Sequence, residues 1–155
     1  MMQLSKNLSL KEVTKSNTAI KYGIDNDPNE IHLRSLKDVA NRIFQPIRDH
    51  FGKPIHVSSG YRSPELNSRI GGSKTSSHCQ GQAIDIDADL TDGLRNREIF
   101  DYIRKNLDFD QLIWEYGNEF EPNWVHVSYD RKGNRNQVLV CYRTDEGIRY
   151  KPYGK

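Results

Sequence analysis

An α+β fold is predicted for this chain by two observations. A long stretch of helical periodicity fills the first third, and a series of period-two runs carrying β-branched and aromatic residues fills the second half. Helices first and strands later make a small, mostly antiparallel sheet flanked by helices. From the N-terminus, Ser9-Leu10-Lys11-Glu12 has the form of a capping box and starts a short helix. Gly23 to Pro28 is a turn-rich break, and Pro28 suits the first turn of the next helix. From Glu30 to His50, Ile31, Leu33, Leu36, Val39, Ala40, Ile43, Phe44 and Ile47 recur at helical spacing. Pro46 is expected to kink this helix or end it early, and Gly52 and Pro54 close the segment.

Ile55 to Ser58 reads as a short strand, Ser59 to Pro64 as a turn, and Pro64 to Arg69 as a small helix. The Gly71-Gly72-Ser73 turn opens a loop that leads into His78. Ala83 to Ala88 is the next strand. A helix capped by Thr91 or Asp92 then runs to about Asn106, with Leu94, Ile99, Tyr102 and Ile103 inward. Strands follow near residues 110–116, 124–129, 137–142 and 147–150. The last stretch, Cys141 to Lys155, reads as an edge hairpin without chemistry of its own.

At 155 residues the chain is expected to form one domain. Its N-terminal helical part covers about 1–52, a central part about 53–129, and the C-terminal strands about 136–151. Mean hydropathy is −0.83, and no run of 18 apolar residues is present to span a membrane. Residues 1–8 lack the apolar core of a secretory signal, so synthesis in the cytoplasm is expected, with release to an outside target by lysis. A net charge of +2, from 23 basic and 21 acidic residues without clustering, argues against a nucleic-acid binder. The two cysteines, Cys79 and Cys141, are expected to be free thiols, and Cys79 is given no ligand role despite its place beside His78.

Three residues carry the chemistry. Within Ala83 to Asp87, alternation puts Ala83, Asp85 and Asp87 on one face and Ile84 and Ile86 on the other. Asp is disfavoured inside strands, so two of them in one short strand ask for a reason, and a cation on that face supplies one. In Trp124 to Ser128, Trp124, His126 and Ser128 share a face while Val125 and Val127 point to the core. Two neighbouring strands then aim Asp85 and His126 at one spot, and the loop before Gly81 brings His78 to it. Two imidazoles and a carboxylate form a common catalytic zinc set with a fourth position open to water. The blander alternative is a turn-capping Asp85 and a satisfied, half-buried His126.

These residues sit in segments that resemble a known family. Ser59-Gly60-Tyr61-Arg62-Ser63, Ser76-Ser77-His78, Gly81-Gln82-Ala83-Ile84-Asp85-Ile86 and Trp124-Val125-His126-Val127 are similar to the M15 zinc peptidases. More narrowly, they resemble its D-alanyl-D-alanine carboxypeptidase and phage endolysin branches. The resemblance implies a small α+β fold shared with the hedgehog signalling domain, and one zinc ion held by His78, Asp85 and His126. It implies hydrolysis of D-amino-acid-containing bonds in peptidoglycan stem peptides, with Arg62 facing the substrate and Ser76 near it. A guanidinium suits a terminal carboxylate or a developing oxyanion.

The chain departs from the family pattern just before the last ligand. Many relatives carry an acid or histidine there as general base, and this chain has Asn123 and Trp124. Glu115 and then Glu121 are the candidate bases, with Asp87 behind them and Glu119 read as a solvated loop charge. Tyr61, Trp114, Trp124 and Tyr129 line either a substrate groove or the core. The expected activity is metal-assisted peptide hydrolysis by a monomer with no nucleic-acid or membrane partner. The rival is a catalytically silent zinc domain that binds a cell-wall peptide or a protein.

Overall fold

The computed structural model describes residues 2–154. Strands β1 (Gln3–Ser5) and β2 (Leu8–Ser9) form a small antiparallel ribbon that the sequence pattern did not signal. Ser9 caps α1 (Leu10–Thr14) as expected, its Oγ accepting from the Glu12 N–H while the Glu12 carboxylate accepts from the Ser9 N–H at 2.7 Å. Helix α2 (Asn17–Tyr22) ends at Gly23 in the left-handed region.

The long helical stretch comprises α3 (Glu30–Val39), a π-helical turn (Ala40–Phe44) and α4 (Gln45–Phe51). Two expectations change here. Asn29, not the residue before it, caps α3 by accepting from the His32 N–H, so Pro28 lies outside the first turn. Pro46 does not end the helix. The Gln45 N–H reaches five residues back to Ala40, and this widened π-helical turn accommodates Pro46 at the start of α4 without breaking the helix.

After β3 (His56–Ser59) come α5 (Pro64–Arg69), a 3₁₀ turn (Ser77–Gln80) and β4 (Ala83–Asp87). Helix α6 (Asn96–Asn106) begins later than the sequence suggested. Gly93 at φ 74° breaks the chain, and Thr91 donates its hydroxyl to the Pro54 carbonyl instead of capping a helix. Strands β5 (Gln111–Glu115), β6 (Trp124–Ser128), β7 (Gln137–Thr144) and β8 (Gly147–Pro152) complete the chain.

Six strands form one sheet in the order β3-β4-β6-β5-β7-β8. All its pairings are antiparallel except β5 with β7, which is parallel because the β6 hairpin excursion returns the chain before β7 begins. One face carries Val57, Ile84, Ile86, Leu112, Trp114, Val125 and Val127. These pack in a single buried cluster with Val39, Ile43, Phe44, Ile47, Ile99, Phe100 and Ile103 from the helices. The opposite face is left for the polar residues of β4, β5 and β6. No helix among the described residues is long and apolar enough to cross a membrane.

Candidate metal centre

Asp85 and His126 face each other directly across the β4–β6 ladder. Burying Ile84, Ile86, Val125 and Val127 on the helix side obliges Asp85 and His126 to project from the other side, since strand side chains alternate. His78 arrives from the 3₁₀ turn. The Ser76 hydroxyl accepts from the His78 N–H, and Gly81 closes the turn at φ 70°. A Cβ on Gly81 would collide with the His32 carbonyl, so glycine is required there for two reasons.

The three side chains converge. His126 Nδ1 lies 3.0 Å from Asp85 Oδ1, and His78 Nε2 lies 3.3 Å from the same oxygen. One ligand atom from each residue falls within 4.8 Å of the others. Tetrahedral zinc with bonds of about 2.0 Å separates its ligand atoms by about 3.3 Å, so this donor set fits the ion in chemistry and spacing. On the far side of the ring, His78 Nδ1 is 2.7 Å from the buried Gly60 carbonyl. Donation there fixes the tautomer and leaves Nε2 with its lone pair toward the cluster.

Burial lowers the pKa of His78, which keeps it neutral and able to ligate. For Asp85, burial acts to raise the pKa, but the adjacent imidazoles of His78 and His126 outweigh it. Its carboxyl is held well below the usual range.

Glu115 lies at the end of β5, two residues beyond Ile113, which pairs with His126. Both side chains therefore share the metal-centre face. Burial pushes the Glu115 carboxyl up, against the opposing pull of His126, and the Cys141 thiol lies against it from the parallel strand β7. Glu121 is occupied elsewhere, its carboxylate accepting from the Arg97 N–H at 3.1 Å in the first turn of α6. Asp87 Oδ1 accepts from the Asp89 N–H and from the Asn96 amide. Glu119 is exposed.

Arg62 follows Gly60 and Tyr61 in the chain, and its backbone N–H donates to the His78 carbonyl at 3.2 Å. One terminal nitrogen of its guanidinium donates to Asn67 Oδ1, while Nε is buried without a partner. The glycine turn packs against this pair, because a Cβ on Gly72 would overlap Asn67. Beside Arg62, Ser59, Tyr61, Leu66 and Lys15 line a cleft of about 320 Å³ to which the three clustered residues do not contribute. Of the four aromatic residues, Tyr61 and Trp114 are buried in the core, and Trp124 and Tyr129 are half-buried.

Two features of the site lay outside the sequence reading. The Gly60 carbonyl orients His78, although Gly60 lies in a segment already notable for its resemblance. Tyr116 adopts φ 57°, which turns its ring back toward Trp124 at a centroid distance of 5.4 Å. The following Gly117 was the available signal for a turn there. Cys79 and Cys141 are both buried free thiols.

Compared with known families, residues 6–128 match the profile described as Peptidase M15. No curated protein matches the chain.

Proposed function

The chain belongs to the M15 peptidases, a zinc-dependent family, and from that premise we propose that it hydrolyses D-amino-acid-containing peptide bonds of bacterial peptidoglycan stems. The observation that carries the reading is the convergence of His78 Nε2, Asp85 Oδ1 and His126 Nδ1 on a face shared with the buried Glu115. His78, Asp85 and His126 are the residues that hold the ion. A zinc ion bound there supplies a Lewis acid and lowers the pKa of a bound water.

The protein's own groups do the rest. The Glu115 carboxylate takes the proton of the attacking water and returns it to the leaving nitrogen. Its burial favours this role, because a carboxyl with a raised pKa is a better proton acceptor than a solvated one. Glu115 thereby replaces the acid that Asn123 and Trp124 do not provide, and Glu121 serves the N-terminus of α6. Arg62, which lines the adjoining cleft, offers its guanidinium to a carboxylate or oxyanion of the substrate. Ser76 acts through His78, by holding the turn that carries it.

The test is digestion of purified peptidoglycan with zinc content assayed in parallel. New amine ends that vanish on chelation and in His126→Ala are the expected result. One bound zinc per chain without cleavage of any stem peptide would overturn the peptidase reading in favour of a silent binding domain.

A further inference from the structure

The metal-centre face of the sheet does not stop at Glu115. It continues across β7 and β8, which lie beyond the residues matched by the family profile. Cys141 pairs with Glu115 on one side and with Tyr150 on the other, so Tyr150 stands on the same face. Arg143 pairs with Ile148, again on this face. Little covers these residues: Ile148 is 45% exposed and Tyr150 56%. Large apolar side chains left open beside a catalytic centre ask for an occupant.

Charge narrows the choice. The Arg143 guanidinium lies 5.7 Å from the centroid of the Tyr116 ring and has no ion pair among the described residues. Its neighbour Arg149, by contrast, is paired with Glu146. Tyr116 is turned into place by its left-handed backbone conformation, which costs energy and is retained where a side chain must be re-aimed. An aromatic floor with one free guanidinium suits an extended peptide that carries a carboxylate.

We propose that the β7–β8 hairpin is a substrate-binding extension of the active site, with Tyr116, Tyr150 and Arg143 holding an anionic peptide segment several residues away from the cut bond. The proposal rests on the peptidase reading above. It adds that the metal-centre face stays open on this side, so the enzyme cuts within a chain rather than only trimming a terminal residue. Strand spacing gives the length. Tyr150 is three strands from His126, about 14 Å across the sheet and further along it, which about four to five extended residues span.

The experiment uses a ladder of synthetic stem-type peptides, lengthened residue by residue on either side of one scissile bond and ending in carboxylate or carboxamide. On one side, kcat/KM is expected to rise with length up to about five residues, and more for the carboxylate than the carboxamide series. Tyr150→Ala and Arg143→Gln are expected to remove that rise through KM, about tenfold on the longest peptide, and to leave the shortest peptide and the zinc content unchanged. A flat ladder, or equal losses on short and long peptides, overturns the proposal. If the zinc-loaded enzyme cleaves no peptide, the peptidase reading fails separately. Calorimetric binding of the longest peptide then decides the surface: weaker binding by both variants supports it, and affinity equal to that of the unaltered chain overturns it.

Discussion

The two faces of β4 and β6 are built from the same short runs of residues and answer to different demands. On the helix side, Ile84, Ile86, Val125 and Val127 are fully buried in one apolar cluster with α3, α4 and α6. On the other side, Asp85 and His126 stand opposite each other in register, with Ser59 and Glu115 on flanking strands. The first face stabilises the sheet by removing apolar area from water. The second holds polar groups close together, which is costly unless each is partnered. Because side chains alternate, the apolar face fixes the register that the polar face uses, and a slip of one residue would exchange the two. Stability and chemistry are therefore separable by single substitutions in neighbouring positions.

The largest effect is expected on the polar face. His126→Ala should abolish both zinc binding and peptide cleavage while leaving the far-ultraviolet circular dichroism unchanged, and removal of metal by a chelator should reproduce the loss of activity in the unaltered chain. Glu115→Gln should lower kcat by about 10²–10⁴-fold and leave zinc stoichiometry intact, the range expected for loss of a general base. A variant that keeps its kcat would move the proton-transfer role away from Glu115.

On the apolar face, Ile86→Ala should cost about 2–5 kcal/mol in denaturant unfolding and leave zinc affinity of the folded protein unchanged. A proportionate loss of zinc affinity would show that the two faces are coupled more tightly than alternation requires. Glu121→Gln tests the candidate base that lies off this face. It weakens the acceptor for the Arg97 N–H and should cost about 1 kcal/mol or less, with kcat unaltered.

The smallest effect concerns pH. Hydrogen bonds from Arg135 hold the Asp110 carboxyl below its ordinary value, where the start of β5 meets the loop before β7. A carboxyl with a depressed folded pKa contributes stability above its unfolded pKa of about 3.9, and that contribution is lost as pH falls toward the folded value. Unfolding midpoints of the unaltered chain and of Arg135→Ala should therefore converge in acid and separate slightly, by under about 1 kcal/mol, near neutrality.

Much of this arrangement was legible in local pattern. The alternation Ala83-Ile84-Asp85-Ile86-Asp87 placed the isoleucines inward and the aspartates outward, and Ser9 with Glu12 marked a helix start. Other parts were not legible, because nonlocal contacts decided them. Pro46 looks like a helix terminator when only its missing N–H is considered, yet one π-helical turn absorbs it while α3 and α4 stay packed on the sheet. Thr91 looks like a helix cap until the Pro54 carbonyl takes its hydroxyl. Glu115 and Glu121 are equivalent by type and near neighbours in the chain. One ends a strand beside His126, and the other caps α6.

The sequence by itself determined the α+β class, the order of helices and strands from α3 onward, and which residues could serve as two imidazoles and a carboxylate for a metal. Periodicity and side-chain chemistry are local properties, and each is written within a few consecutive residues. Only the tertiary structure decided that Asp85 pairs with His126, that the Gly60 carbonyl sets the His78 tautomer, that β7 runs parallel to β5, and that Tyr150 extends the same face. Each of these joins residues far apart in the chain. Their pairing is settled by burial of the whole apolar face at once, which no single segment encodes.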